Sequence, residues 1–122
     1  ESKGWGRIVT LGSVQQNRPS KQMIVYAASK AAQLNMVKNL AWQLGNKGIT
    51  INNLAPGVIG TIRNEEVLAN EVFKTKIEKN IPLRYIGEPD DLASMALLLC
   101  SEAGRYISGA DILVDGGMSL PE

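Results

Sequence analysis

The segment IVYAASKAAQLNMVKNLAWQLGNKGITINNLAPG, residues 24–57, decides the fold. Its first part repeats apolar residues at spacings of three and four, which predicts an amphipathic helix from Ile24 to Leu44. Two glycines end that helix, and the β-rich run from Ile49 to Leu54 predicts a strand that a Pro-Gly pair closes. A helix followed closely by a strand is typical of an α/β protein.

Helices and strands continue to alternate on both sides of this segment. The run Arg7–Leu11, bounded by glycines, predicts an earlier strand, and Gly109–Val114 predicts a later one. Between the last two strands we expect a helix from about Asn64 to Glu78. A further helix is expected from Glu88 through Leu99, because proline and acidic residues occupy its first turn. This order predicts a parallel sheet with flanking helices.

Composition narrows the possible functions. The 122 residues suit one domain of ordinary size, and 13 basic against 12 acidic residues leave a net charge of +1, too little to favour nucleic-acid binding. Histidine is absent, which excludes Ser-His and His-metal chemistry, and Cys100 is a single cysteine without an internal disulfide partner or a metal cluster. No apolar run approaches the ~20 residues of a membrane helix, so we expect no membrane span and a cytoplasmic location.

Candidate catalytic residues lie near the carboxyl ends of the first two strands, where open parallel sheets bind ligands. Tyr26 and Lys30 are four apart on one helix face, and an ammonium near a phenol favours the phenolate, which suits an acid/base role. Such a pair also occurs by chance on many helices. Ser13 directly follows the first strand and can donate a hydrogen bond to a substrate oxygen, or serve only as a turn or cap residue.

The loop PGVIGT, residues 56–61, leaves the second strand at the same edge. Its glycines permit close approach of the backbone to a ligand, freed N–H groups can bind that ligand, and Thr61 adds a hydroxyl. Taken alone, this stretch is equally compatible with an ordinary loop.

Five ordered stretches together resemble the short-chain dehydrogenase/reductase family: GRIVTLGS, YAASKAA, ITINNLAPG with VIGT, IPLRYIGEPDDLA and SGADILVDGG. The resemblance implies an α/β fold, the C-terminal half of a Rossmann-like doubly wound parallel sheet, made of its last three strands and flanking helices. Residues 1–122 would form the C-terminal part of a single NAD(P)-binding Rossmann domain. The N-terminal cofactor-binding half would be absent, since no glycine-rich phosphate loop follows a strand.

The same resemblance implies roles for named residues. Tyr26 would be the acid/base, Lys30 would assist it and bind the nicotinamide ribose, and Ser13 would hold the substrate oxygen. The residues implied to contact NAD or NADP are Tyr26, Lys30, Pro56, Gly57, Ile59 and Thr61. Ser13 and Gln15 are the implied substrate contacts, and no metal is implied.

The expected reaction is hydride transfer between NAD(P) and a small alcohol or carbonyl compound. A sugar or polyol is the first expectation for the substrate, because polar residues follow Ser13, and a 3-oxoacyl thioester is the alternative. Because the chain begins with Glu1 and lacks the phosphate loop, we expect a truncated, isolated chain to be inactive. The other hypothesis is a non-catalytic assembly fragment. In either case we expect a homo-oligomer, formed along the Ile8–Leu11 edge or the Ile24–Leu44 helix.

Overall fold

The computed structural model describes residues 4–18 and 20–121, so Glu1 lies outside the described part. Its three strands form one parallel sheet in the order β1 (Gly6–Leu11), β2 (Ile49–Pro56) and β3 (Asp111–Val114). The central strand β2 pairs with both neighbours, and Leu54 lies opposite Leu11 on one side and Ile112 on the other. The predicted α/β class and parallel sheet are confirmed.

The core forms around β2 because this strand is covered on both faces, as a central parallel strand usually is. Helix α1 (Ile24–Leu44) packs against β2 and contributes the fully buried Val37. Helix α4 (Pro89–Cys100) packs against β1 and β2 and contributes the fully buried Leu99. The bounds of α1 are those predicted from its apolar spacing.

The region between β2 and α4 differs from the prediction. The single helix expected from about Asn64 to Glu78 is wrong: two helices form, α2 (Glu65–Leu68) and α3 (Glu71–Lys79). The break occurs because the Asn70 side chain accepts hydrogen bonds from the backbone N–H groups of Val72 and Phe73, both at 3.1 Å, and so caps a new helix.

Two element starts are explained by local chemistry. Helix α4 begins at Pro89, one residue after the predicted start, and Glu88 is its N-cap: the Asp91 carboxylate accepts the backbone N–H of Glu88 at 2.7 Å, and Pro89 occupies the first turn. Strand β3 begins at Asp111, later than the predicted Gly109, because Gly109 has a φ of +74°, outside the extended region. Among residues 4–18 and 20–121, no helix has both the length and the apolar character needed to cross a membrane.

Candidate active site

A groove of about 1000 Å³ opens at the carboxyl ends of β1 and β2, against the first turn of α1. It lies at the sheet edge where ligands were expected. Seven of the eight predicted site residues line it; the eighth, Lys30, lies one helical turn further along α1. The seven are Ser13, Gln15, Tyr26, Pro56, Gly57, Ile59 and Thr61.

Tyr26 is the third residue of α1, and its side chain is 38% exposed, on the groove. This position follows from the helix start at Ile24, which leaves the first turn of α1 facing the end of the sheet. The Lys30 ammonium nitrogen lies 5.8 Å from the centre of the Tyr26 ring. The helical spacing therefore brings the two side chains together as the sequence predicted, and the phenol remains accessible from the groove.

Lys30 is held in place by the end of β1. Its Nζ donates to the backbone carbonyl of Leu11 at 2.8 Å and to Gln33 Oε1 at 3.4 Å. Gln33 Nε2 donates to the same Leu11 carbonyl at 2.9 Å. The ammonium group is therefore anchored between the first strand and the Tyr26 ring.

Ser13 is buried, and the sequence left open whether it caps a turn or donates a hydrogen bond to a substrate oxygen. Its position in the structure is compatible with both. Its Oγ accepts the backbone N–H of Gln15 at 3.2 Å, so it caps the 3₁₀ turn Val14–Gln16. Its hydroxyl hydrogen, however, is donated to no other group in the described part of the chain, so it is available to a ligand. Gln15 Oε1 is likewise buried without a hydrogen-bond partner among the described residues, at a position lining the groove.

The loop after β2 is shaped by packing as well as by any ligand. A Cβ at Gly57 would lie 2.8 Å from the Asp115 Cα, so the end of β3, and not only ligand approach, requires glycine there. The N–H of Gly57 donates to Val114 at 3.0 Å. Within the described residues the N–H of Ile59 donates to no backbone carbonyl, and Thr61 begins the next 3₁₀ turn at the groove wall. The Thr61 hydroxyl donates to Asn64 Oδ1 at 3.2 Å, so the unpaired donor that this loop brings to the groove is the N–H of Ile59.

The turn after β3, which contributes Met118 to the groove, is held by hydrogen bonds to Asp115. Burial alone would raise the pKa of the Asp115 carboxyl, but hydrogen bonds from the Ser119 hydroxyl and from the backbone N–H groups of Gly117 and Ser119 outweigh it and lower the pKa below its usual value. The two backbone bonds measure 2.9 and 2.8 Å. Arg18 fixes the same turn by donating to the Met118 carbonyl at 2.6 Å, and Met118 lines the groove.

The ionised side chains that line the groove are cationic. Lys21 and Arg63 lie along it, and no aspartate or glutamate is among its lining residues. Neither cation forms an ion pair within residues 4–18 and 20–121. The same part of the chain contains no group of three or more potential metal ligands. The groove therefore suits an anionic or hydroxylated ligand.

The sequence interpretation missed a set of polar residues beneath the groove: Gln16, Gln33, Asn53 and Asp111. Their signal was present in Asn52 and Asn53, two adjacent amides in an otherwise apolar, buried strand. A buried amide costs free energy unless it is hydrogen-bonded. Two amides at such a position therefore indicate polar partners on both faces of the sheet.

Comparisons with known proteins agree with this arrangement. A family model described as enoyl-(acyl carrier protein) reductase matches residues 1–119. The chain is 39% identical to 7alpha-hydroxysteroid dehydrogenase of Escherichia coli strain K12 over 96% of its own length and 46% of that protein. It is 36% identical to glucose 1-dehydrogenase 2 of Bacillus subtilis strain 168 over 94% of its own length and 44% of that protein.

Solved structures give the same result. Gluconate 5-dehydrogenase of Burkholderia cenocepacia, in complex with NADP and tartrate, matches with a TM-score of 0.90 at 30% identity, over 97% of this chain and 46% of that one. A 3-oxoacyl (acyl-carrier-protein) reductase of Agrobacterium tumefaciens with NADP bound matches with a TM-score of 0.90 at 33% identity, over 94% of this chain and 45% of that one. The chain spans somewhat less than half the length of these relatives. On this fold, these motifs and these matches, the chain belongs to the short-chain dehydrogenase/reductase family of oxidoreductases.

Proposed function

We propose that the protein to which this chain belongs is an NAD(P)-dependent oxidoreductase that transfers hydride between the cofactor and an alcohol or carbonyl substrate. Tyr26 is the proposed acid/base. The observation that carries the proposal is its placement: the Tyr26 ring is accessible in the groove, with the Lys30 ammonium 5.8 Å from its centre and anchored to Leu11. In a chain without histidine, this is the pair best suited to proton transfer in the groove.

Each residue of the proposed site has a distinct task. The Tyr26 hydroxyl exchanges a proton with the substrate oxygen, and the Ser13 hydroxyl donates a hydrogen bond to that same oxygen as charge develops on it. Lys30 holds positive charge beside the phenol and binds the nicotinamide ribose. Gln15 contributes its unpartnered carbonyl oxygen to a substrate hydroxyl. This set needs no metal.

The residues present fit a nicotinamide at the loop after β2. The free N–H of Ile59 offers a hydrogen-bond donor suited to a carboxamide, beside Pro56 and Gly57. The Thr61 hydroxyl donates to Asn64 Oδ1 at 3.2 Å, so it offers the carboxamide an acceptor. The cofactor, when bound, supplies or accepts the hydride. Similar structures that hold NADP, and another that holds NADH, support NAD or NADP as the cofactor of this protein.

We further propose that residues 1–122 are the C-terminal part of a single Rossmann domain. The described chain presents β1 as an edge strand and includes no glycine-rich phosphate loop, and its relatives are about twice as long. The missing part would pair with β1 and bind the adenine half of the cofactor. On this basis, the isolated chain is inactive.

A sugar or polyol is the proposed substrate class, since Ser13 and Gln15 provide a polar wall. The cations Lys21 and Arg63, with no acidic residue lining the groove, favour a sugar that carries a carboxylate. A 3-oxoacyl thioester is the alternative, supported by the named reductase among the similar structures. A cytoplasmic location is kept as a proposal, since the exposed Cys100 is a free thiol.

Turnover of NAD(P) with alcohol and sugar substrates by the full-length protein tests the proposal. Replacing Tyr26 with phenylalanine removes only the hydroxyl, and we expect a loss of about 100- to 10,000-fold in kcat. Tyr106→Phe is the matched control, because Tyr106 is 100% exposed and does not line the groove. Undiminished activity in Tyr26→Phe would remove Tyr26 from its proposed role.

A second candidate is a non-catalytic assembly fragment, favoured by the apolar residues that the chain leaves exposed. On α1, Val25 is 83% and Trp42 is 91% exposed, and Leu11 is exposed on the edge strand. These surfaces suit a homo-oligomer. Titration calorimetry of the isolated chain with NADH and NADPH separates the two candidates, because micromolar binding by the chain alone argues against an inert fragment.

A further inference from the structure

We propose that Asn53 is a positioning residue that fixes the position of Ser13 relative to Lys30. The inference rests on the proposed function for the roles of those two residues, but its structural content stands on separate observations. Ser13 follows β1 and Lys30 lies on α1, so nothing in the covalent chain fixes their separation closely. Asn53 lies on β2, between the two elements, and its side chain is fully buried.

The Asn53 amide uses its full hydrogen-bonding capacity. Its Nδ2 donates to Asp111 Oδ1 at 2.8 Å and to Gln16 Oε1 at 3.3 Å. Its Oδ1 accepts from Thr10 Oγ1 at 2.8 Å and from Gln33 Nε2 at 3.2 Å. An amide has two N–H hydrogens and two carbonyl lone pairs, so all four are engaged and a flip of the group would break all four bonds.

One branch of this network leads to Lys30. Gln33, held by Asn53, donates to the Leu11 carbonyl at 2.9 Å and accepts from Lys30 Nζ at 3.4 Å. Lys30 donates to the same carbonyl at 2.8 Å. The Gln33 amide thus fixes the direction from which the ammonium group approaches the end of β1.

The other branch leads to Ser13. Gln16 Oε1, which accepts from Asn53, also accepts the backbone N–H of Ser13 at 3.4 Å. Gln16 Nε2 donates to Asp111 Oδ1 at 2.7 Å, which locks the orientation of the Gln16 amide. The 3₁₀ turn that presents the Ser13 hydroxyl to the groove is therefore tied to the same buried side chain as Lys30.

The neighbouring Asn52 shows what a purely structural amide does in this strand. It is also fully buried, but its Nδ2 donates to the Ile107 carbonyl at 2.8 Å and its Oδ1 accepts the Ala110 N–H at 3.0 Å. These side-chain bonds hold the loop before β3 and reach neither Ser13 nor Lys30. Asn52 and Asn53 are therefore a matched pair, equal in burial and residue type but different in what they support.

The test compares Asn53→Ser with Asn52→Ser in the full-length protein. Both variants lose a buried amide, and both lower stability. For Asn53→Ser we expect kcat per folded molecule to fall by up to about a hundredfold with little change in KM, because a misplacement of about 1 Å carries that cost. For Asn52→Ser we expect kcat per folded molecule to remain at the wild-type value. Equal kcat losses in the two variants would overturn the proposal.

A second readout does not depend on turnover. The rate at which an amine-reactive reagent labels Lys30, followed by mass spectrometry, reports how firmly Nζ is held. Hydrogen exchange of the peptide that contains Ser13 reports the other branch. We expect Asn53→Ser to raise both rates several-fold relative to Asn52→Ser at matched stability. Unchanged labelling and exchange would overturn the proposal even if turnover falls.

If Asn53→Ser does not fold, Gln33→Leu cuts the Lys30 branch alone at a half-buried helix position. Faster labelling of Lys30 with unchanged exchange at Ser13 supports the network, and unchanged labelling contradicts it. Failure of the proposed function has a different signature. Full activity in Tyr26→Phe would remove the catalytic roles, whereas labelling and exchange would still decide whether Asn53 positions the two residues.

Discussion

Gly12 is the position where one added methyl group tests the polar network most severely. It is buried directly after β1, and its N–H donates to the Leu54 carbonyl at 2.8 Å. A Cβ built there lies 2.3 Å from Asn53 Nδ2 and 2.7 Å from Gln16 Oε1. Real Cβ contacts are not found below 3.0 Å, so in Gly12→Ala the two amides must move. The φ of Gly12 is not positive, so the conflict is steric and not conformational.

Three contributions determine the expected change in the free energy of unfolding of Gly12→Ala. Overpacking a buried site destabilises a protein by about 1–3 kcal/mol. The Asn53 amide cannot rotate away without losing hydrogen bonds worth about 1 kcal/mol each, which places this site in the upper part of that range. Against this, Gly→Ala stabilises by about 0.4–1 kcal/mol through the unfolded chain. We expect a net loss of about 1–2 kcal/mol in the free energy of unfolding.

Urea unfolding of Gly12→Ala measures this loss, and Gly45→Ala is its control. Gly45 has helical backbone angles at the end of α1, and a Cβ there meets no atom within 4 Å. We expect Gly45→Ala to be stabilised by about 0.4–1 kcal/mol. A Gly12→Ala protein as stable as Gly45→Ala would refute the tightly packed network beneath the groove.

The remaining predictions concern charge. In the folded protein the pKa of Asp115 lies below its unfolded value of about 4, so its carboxylate stabilises the fold above that pH and loses this effect as the pH falls through the folded value. We therefore expect the stability difference between wild type and Asp115→Asn to be present near neutral pH and to shrink below about pH 4; a pH-independent difference in urea titrations would contradict this. For Lys21→Met we expect KM for a sugar acid to rise about fivefold, the size of an exposed ion pair, with KM for a neutral polyol unchanged. Equal changes for both substrates would argue against charge recognition at Lys21.

Element type and order could be predicted from the sequence because they depend on local patterns. The apolar spacing of α1 and the β-rich run of β2 correctly predicted the residues at which these two elements begin. The acidic first turn of α4 predicted the beginning of that helix to within one residue. The predicted helix from about Asn64 to Glu78 was wrong because a single capping side chain, Asn70, competes with helix continuation. That competition depends on hydrogen-bond geometry and not on apolar periodicity.

Several of the residues that line the groove could be predicted, because the carboxyl ends of parallel strands lie at the same edge of the sheet. Ser13, Tyr26 and Thr61 therefore line one groove although they are far apart in the chain. The support beneath them could not be predicted in the same way, since the partners of Asn53 come from four different segments and depend on side-chain direction. The requirement for glycine at position 57 could not be predicted either, because the atom that a Cβ there would meet belongs to Asp115, 58 residues later in the chain.

The rate of the chemical step in Tyr26→Phe tests the central claim most directly. In a single turnover with saturating substrate, nicotinamide absorbance follows hydride transfer in the full-length protein without a contribution from product release. We predict a rate about 100- to 10,000-fold below wild type, since proton transfer to the substrate oxygen loses its donor. A single-turnover rate equal to that of wild type would contradict the assignment of Tyr26 as the acid/base.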